Sequence, residues 1–484
     1  KLRRLTGSTA FLLKVMGGDA SGVTRFNQLP LSAKTIAGLE QAHFQQMTPI
    51  QKESLLHSLC GEDVVGAARA GSGKTLAFLV PVLERLYREQ WSARDGLGAL
   101  VLAPTRELAL QIFDVLLRVG ARHALSAGLV IGGKDLQAER HAIARMNILV
   151  ATPGRLLQHM DQTCGFDWAG LQVLVLDEAD RILDLGFART VDAILAALPS
   201  TRQTLLFSAT QTSSVQALAR VALRPTAHRV SLYDAHASTT PALLRQHYVL
   251  TDLPDKLDRL YAFLRAHTHA KTLVFLSSCK QVRFVHEAFC RLQPGVPLLC
   301  LHGRQKQPRR MAVFYDFCQK SAAVLLATDV AARGLDFPAV DWVLQVDCPE
   351  DVDTYVHRVG RTARFDSPGN ALLFLLPSEV AMLGLLEAKG IPINSLYPKI
   401  PHGQPLPPPK RPIQSQLAAL CTQDLEVKYL AQKALISYVR SVFLHSNKQV
   451  FKVGELPVAE FAASLGLAST PKLRFVNKSL AKKK

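Results

Sequence analysis

A chain of 484 residues exceeds what one ordinary hydrophobic core supports, so two or three domains are expected. With 48% hydrophobic and 20% charged residues, its composition excludes a disordered polymer and suits a soluble globular protein. Lys and Arg number 57 against 39 Asp and Glu, a net charge of +18, which points to a polyanion such as nucleic acid unless the protein is simply basic.

Taken in order, residues 1–24 read as a loosely held arm, Gly-rich at Gly17-Gly18. The chain starts without an initiator Met, so further sequence at the termini is expected. From Phe26, the spacing of Leu31, Ile36 and Leu39 predicts one helix, and Pro49 opens another containing Leu55, Leu56 and Leu59. Apolar strand-like runs then alternate with helical stretches, at 64–67, 100–103, 129–131, 148–151, 173–176 and 204–207. After a polar connector at 233–245, a second alternating series follows at 272–276, 298–301, 323–327, 342–346 and 371–375. This pattern predicts two α/β domains, residues 25–232 and 246–390, each a parallel sheet covered by helices, with no obvious repetition between them. Residues 391–412 read as a Pro-rich, semi-rigid linker. Residues 413–484 read as a helical extension, with helices at 435–444 and 456–467, the second stopped by Gly466, and a basic end Lys482-Lys483-Lys484.

The eight cysteines form no C-x-x-C pair and have no histidine at zinc-like spacing, which predicts reduced thiols. No apolar run approaches the length of a membrane span, so no membrane partner is expected.

Gly71-Ser72-Gly73-Lys74-Thr75 follows the first strand-like run. Its glycines let backbone amides turn toward phosphate oxygens, and a helix starting near Lys74 adds its positive end. Lys74 would neutralise the outer phosphates, and the Thr75 hydroxyl would ligate Mg²⁺. Ala68 stands where the common phosphate-loop pattern has its first glycine. The run Val173–Leu176 leads straight into Asp177-Glu178-Ala179-Asp180. By position alone these carboxylates suit a solvated turn as well as a ligand rim. The phosphate loop upstream favours the rim, because a nucleoside-triphosphate site pairs a phosphate cradle with an acidic strand end. Asp177 would then hold Mg²⁺, directly or through water, and Glu178 would orient or deprotonate the attacking water.

The ordered set of motifs over residues 25–390 resembles the DEAD-box RNA helicases. Thr48-Pro49-Ile50-Gln51, with Phe26 upstream, resembles the Q motif, and residues 68–75 resemble motif I, where that family also usually has alanine first. Residues 104–109 resemble motif Ia, Gly132-Gly133 the GG element, 152–155 motif Ib, 177–180 the tetrad that names the family, and Ser208-Ala209-Thr210 motif III. In the second domain, residues 273–278 resemble motif IV, Gln307 with Arg310 its Q-x-x-R accessory, 327–336 motif V and 357–364 motif VI. Ala70 departs from the threonine often found there.

The resemblance implies two tandem RecA-like P-loop domains with parallel sheets, a small helical C-terminal extension, and an ATP-dependent RNA helicase using ATP and Mg²⁺. Phe26 would stack on the adenine ring, and the Gln51 carboxamide offers the donor and acceptor an adenine edge needs. Ala70, Gly71, Ser72, Gly73, Lys74 and Thr75 would cradle the phosphates, with Gly334 and Asp336 completing the nucleotide site from the second domain. Arg361 and Arg364, three apart, would serve as arginine fingers. RNA contacts are expected at Thr105, Arg106, Gly133, Thr152, Gly154, Arg155, Arg304, Thr328 and Asp329, a set suited to phosphate and 2′-OH rather than base reading. Asp180, Ser208, Thr210 and His357 would couple the two sites.

The extension is similar in pattern to that of nucleolar DEAD-box helicases of ribosome assembly. Phrases such as 156–161 and 335–340 are most like the branch acting in small-subunit pre-rRNA processing. That resemblance implies pre-rRNA or snoRNA duplexes and pre-ribosomal proteins as partners. It also implies a monomer within a large ribonucleoprotein, located in the nucleus and nucleolus. Two alternatives stay open: an ATP-dependent RNA clamp with little unwinding, and a structural assembly subunit whose ATPase is dispensable.

Overall fold

The computed structural model describes residues 23–68, 71–133, 136–210, 212–231, 240, 243–329, 337, 340–363, 367–398 and 404–473. Nearly all of the expected arm, most of the 233–245 connector, the basic end, and Ala70, Gly334, Asp336 and Arg364 lie outside the described residues. The chain divides near residue 237 into two compact units.

The first unit is built on seven strands: β1 Val64–Ala67, β2 Ala99–Leu102, β3 Ala127–Val130, β4 Ile148–Ala151, β5 Val173–Leu176, β6 Gln203–Ser208 and β7 His228–Ser231. They pair in parallel in the order β3-β4-β2-β5-β6-β1-β7. Strands β1, β2, β4, β5 and β6 are buried at every position. This is why they read as unbroken apolar runs rather than as alternation.

The second unit has seven strands as well: β8 Leu244–Leu250, β9 Lys271–Phe275, β10 Leu298–Leu301, β11 Ala323–Ala327, β12 Trp342–Gln345, β13 Gly369–Leu375 and β14 Asn394–Ser395. All pairs are parallel, in the order β10-β11-β9-β12-β13-β8-β14. Counted from its own first strand, each sheet runs third, fourth, second, fifth, sixth, first, seventh. The topology is repeated although the residues are not.

Three placements differ from the expectations. Strand β8 begins at Leu244, inside the expected connector. The Pro-rich segment is no free spacer. Asn394 and Ser395 pair with β8, Leu406 N–H donates to the Leu250 carbonyl at 2.9 Å, and the Arg259 guanidinium donates to the carbonyls of Leu406 and Pro407 at 2.9 and 2.8 Å. A prolyl segment lacks donors for a central ladder, so it lies along the sheet edge with its carbonyls taken by an arginine.

Thirdly, the extension has helices over other bounds than expected, and they pack on the second unit. It forms helices Gln414–Gln423, Leu425–Leu444 and Val458–Ser464. The middle one starts ten residues before the expected 435–444, capped by Asp424, because its first turns expose Leu425 and Tyr429 and so hide the amphipathic signal. Leu417, Val427, Ala431, Leu435, Val439, Phe461 and Leu465 join the second unit's own hydrophobic core. Gly466 adopts φ +81°, and a Cβ there would strike the Leu417 carbonyl, so glycine is needed for both the turn and the close approach.

Glycine also makes room at Gly369, the first residue of β13. A Cβ there would meet the Thr362 hydroxyl and the Ala363 amide. Gly369→Ala is therefore expected to destabilise the second unit by about 1–3 kcal/mol through overpacking, read as a lower denaturation midpoint. An unchanged midpoint would show that residues 362–363 yield freely.

Candidate nucleotide and RNA sites

The strand order divides the carboxyl edge of the first sheet. Strands β5, β6 and β1 are neighbours, and so are β3, β4 and β2. The phosphate loop, acidic tetrad and Ser208-Ala209-Thr210 follow the first group, and the first unit's expected RNA residues follow the second. Ligand sites in open α/β sheets form at such carboxyl edges.

After β1 the loop turns through Gly71 (φ +77°) and Gly73 (φ +90°) into the helix Lys74–Arg88. Lys74 is 7% exposed, and its Nζ has no hydrogen-bond partner among the described residues; the buried Ser72 hydroxyl is likewise without one. An ammonium kept from water with no acceptor is costly unless an anion completes it. The residues present therefore fit a phosphate group, and Thr75, half-buried one residue on, lies where a hydroxyl could reach its cation.

Gln51 is 2% exposed. Its amide donates to the Gly73 carbonyl at 2.8 Å and its oxygen accepts from Thr48 N–H at 2.8 Å. The Q-motif helix Pro49–Leu59 is thus tied to the phosphate loop, and a Cβ at Gly73 would collide with Gln51 and Thr48. The expectation that both ends of the carboxamide face adenine is altered: each already has a protein partner, leaving one N–H and one lone pair. Phe26 is 3% exposed and packs in the first unit's core with Leu29 and Met47, so its ring is not an open stacking platform.

After β5, Asp177 is buried, and burial pushes its carboxyl up to about 7, with Lys74 pulling it down and Glu178 and Asp180 pushing it up. A buried carboxylate crowded by two neighbouring ones is a donor set suited to a hard divalent cation. Glu178 sits at φ +48°, ψ +54°, a left-handed backbone unusual for a residue with a side chain, and donates its N–H to Asp177 Oδ1 at 2.9 Å. Asp180 Oδ2 accepts from the Thr210 hydroxyl at 3.0 Å, and the Ser208 hydroxyl donates to the Thr210 carbonyl at 2.8 Å. The Ala68 N–H donates to the Ser208 carbonyl at 3.1 Å. Asp180, Thr210 and Ser208 are therefore one bonded cluster, joined through backbone to the start of the phosphate loop.

On the other half of the edge, the Thr105 hydroxyl caps the helix Arg106–Val119, and Thr152 precedes the helix Pro153–Gln162. Exposed Arg106 lies against the Gly132-Gly133 turn, where any Cβ would meet its guanidinium. Gly154 is exposed in the first turn of its helix. Arg155 is already engaged. Its Nε and Nη2 donate to Glu139 Oε2 at 2.9 and 2.8 Å, and the same oxygen lies 3.0 Å from Nε2 of buried His159. His159 stands four residues from Arg155 on the same helix, whereas Glu139 had no sequence signal, since it comes from the separate helix Leu136–Ile143.

In the second unit, Arg304 is exposed in the turn after β10, and buried Thr328 follows β11 with no partner for its hydroxyl among the described residues. Asp329 is held by Arg358 in a forked pair, 2.7 Å at each oxygen. It thus serves first to place that arginine. Arg358 is buried within the motif VI stretch, and counting the arginines there could have drawn attention to it. Arg361 is buried just past the helix Val352–Val359, which carries half-buried His357, and Ala363 adopts φ +53°. Among the described residues, His57, Glu62 and His228 also group as metal-type ligands, but His228 opens β7 at the amino edge, away from the phosphate loop.

Residues 48–218 match the family described as DEAD/DEAH box helicase, 255–366 the helicase conserved C-terminal domain, and 424–473 the C-terminal extension of ATP-dependent rRNA helicase SPB4-like proteins. The sequence is 56% identical over 470 residues to the ATP-dependent RNA helicase dbp4 of Aspergillus fumigatus, covering 97% of this chain and 59% of that protein. It is 57% identical over 463 residues to DBP4 of Mycosarcoma maydis, covering 95% and 50%. The chain thus spans half to three-fifths of the length of these curated relatives. Its fold is similar to Mss116p bound to ssRNA and AMP-PNP, with a TM-score of 0.83, 25% identity and 96% of each chain covered. It is also similar to S. cerevisiae Dbp5 bound to RNA and ADP BeF3, with a TM-score of 0.68 and 26% identity over 77% of this chain and 96% of that one.

Proposed function

This chain belongs to the DEAD-box helicase family, and on that premise we propose that it is an RNA-stimulated ATPase that unwinds or remodels short RNA duplexes or RNA–protein complexes. The observation that carries the reading is the buried ammonium of Lys74, without a hydrogen bond among the described residues and beside Asp177, on the same sheet edge as Arg106 and the helix N-termini at Thr105 and Thr152. A phosphate site and a backbone-type nucleic-acid surface then share one rigid sheet.

In this reading Gly71, Ser72, Gly73 and Lys74 bind the ATP phosphates, Gln51 senses adenine, and Glu178 takes the proton of the attacking water. Thr75 and Asp177 would hold Mg²⁺, which when bound neutralises charge on the phosphates. Arg361 and Arg364 of the second unit stabilise the charge that develops on the transferred phosphoryl group. The bonded cluster Asp180-Ser208-Thr210 carries the state of the phosphate loop toward the RNA loops. Binding of ATP with RNA favours a bent single strand over a duplex, and hydrolysis releases it.

The relatives named ATP-dependent RNA helicases support RNA as the substrate, and the match of the extension to that of rRNA helicases supports ribosomal RNA as its class. We assign the chain to small-subunit pre-rRNA processing in the nucleolus, acting on pre-rRNA or snoRNA duplexes within pre-ribosomal particles. The test is ATP hydrolysis by the purified chain with RNA or DNA of one sequence, alongside release of a short RNA duplex. RNA-specific stimulation with release is expected. Hydrolysis without release would favour the clamp, and equal stimulation by DNA would overturn the RNA assignment.

Binding through phosphates predicts steep salt dependence, with a slope of about −0.7 per phosphate on a single strand. Arg106→Ala should weaken RNA binding alike on all sequences and flatten that slope by roughly one contact. Fluorescence anisotropy at several salt concentrations reads both, and a sequence-dependent loss would mean that Arg106 reads bases.

A further inference from the structure

Position for position, the second unit contains a counterpart of the phosphate site. In the first sheet Lys74 opens the helix after β1, and Asp177 follows β5. In the second, Lys256 opens the helix Lys256–Ala266 after β8, and Asp347 lies just beyond β12, the strand in the place of β5. Here the lysine is neutralised: its Nζ stands 3.4 Å from Asp347 Oδ1, and both side chains are buried. The other Asp347 oxygen accepts from Ser277 N–H and Gln281 Nε2, each at 2.9 Å. Buried Glu379, just past β13, adds a further carboxyl, which burial pushes up and Lys256 pulls down.

This counterpart is roofed by the extension. Tyr438, 2% exposed, places its ring 5.6 Å from Lys256 Nζ, and Phe461 backs that ring edge-on at 5.2 Å. Next to it, Ser437 Oγ lies 2.8 Å from Ser278 Oγ at the start of the helix Cys279–Leu292. Beneath the roof the cluster reaches the reaction loops. Arg358, forked onto Asp329, also donates to the Asp347 carbonyl at 2.9 Å and to Gln345 Oε1 at 3.2 Å. Arg361 follows three residues later.

We propose that Tyr438 is a positioning residue: the extension fills the second unit's counterpart of the phosphate pocket and, through Lys256, Asp347 and Arg358, holds the loops bearing Asp329 and Arg361 as hydrolysis requires. The proposal rests on the ATPase reading above. A ring over a desolvated ammonium is attractive, and a buried charged network keeps one arrangement only while water is excluded. The Tyr438 hydroxyl has no hydrogen-bond partner among the described residues, so the ring alone carries the role and phenylalanine should replace it.

The test compares Tyr438→Leu and Tyr438→Phe in the full chain. Three quantities are read: affinity for a non-hydrolysable ATP analogue, RNA-stimulated kcat and KM, and the rate at which an amine-reactive reagent acylates Lys256. Tyr438→Leu should leave analogue affinity and KM unchanged and lower kcat about tenfold, the scale of lost orientation, while Lys256 is labelled several times faster. Tyr438→Phe should match the wild type in all three. The proposal is overturned if the leucine variant keeps its kcat, or if the phenylalanine variant loses as much as leucine does. Should Tyr438→Leu fail to fold, Phe461→Leu withdraws the backing of the ring and is read in the same way. If the wild type shows no RNA-stimulated hydrolysis, the ATPase reading has failed. Lys256 labelling then still decides whether Tyr438 seals the pocket, and unaltered labelling in Tyr438→Leu overturns the seal.

Discussion

Lys74→Ala is expected to abolish ATP binding while leaving the first unit folded. The side chain opens the helix after the phosphate loop, and its ammonium is buried without a hydrogen-bond partner among the described residues. In the ATP complex it would pair with phosphate in a site closed to water. Truncating one partner of a buried, hydrogen-bonded charge pair costs about 2–5 kcal/mol, or roughly 30- to several-thousand-fold in affinity. Without nucleotide the change removes a buried ammonium that has no hydrogen bond among the described residues, and the loss of its attraction to Asp177 is offset as burial drives that carboxyl to its neutral form, so the melting temperature should stay near the wild-type value. Calorimetric titration with a non-hydrolysable analogue and thermal denaturation of the apo chain check the two halves. An unchanged affinity would remove the phosphate-loop assignment, whereas a collapse of the fold would make Lys74 a structural residue.

Glu178→Gln should separate binding from chemistry. The substitution keeps the size of the side chain and leaves the N–H that bonds Asp177 Oδ1. It cannot accept a proton from water, and loss of a positioned general base costs about 10²–10⁴ in rate. ATP and RNA affinities should stay near the wild-type values, and RNA should leave slowly because hydrolysis opens the clamp. Single-turnover hydrolysis and the RNA dissociation rate in excess ATP read both effects. Hydrolysis at the normal rate would show that another group handles the proton. Glu178 holds a left-handed backbone directly after Asp177, a strained turn of the kind that clusters at functional sites.

The phosphate loop and the tetrad were legible because each is contiguous and directly follows an apolar strand. Their chemistry depends on residue type at fixed spacing, which the chain displays without folding. The adenine side was less legible. Gln51 has the right functional group, but only the fold shows that Gly73 and Thr48 already use it, and that Phe26 is spent on the core. Among the expected RNA contacts, Arg106 is open, whereas Arg155 and Asp329 are tied to Glu139 and Arg358. A motif names a side chain; which partner claims it first depends on groups that distant crossovers bring alongside.

By itself, the sequence determined two parallel α/β units, a phosphate cradle with an acidic strand end, and a basic chain suited to RNA. Hydrophobic runs and turn residues act locally, so these features survive in one dimension. Tertiary structure alone decided that β1, β5 and β6 are neighbours, that both sheets share one strand order, and that the extension closes over Lys256 instead of trailing behind a linker. The physical reason is that strand order and the pairing of buried polar groups are long-range choices, set by which apolar faces and charges can be satisfied together in the folded chain.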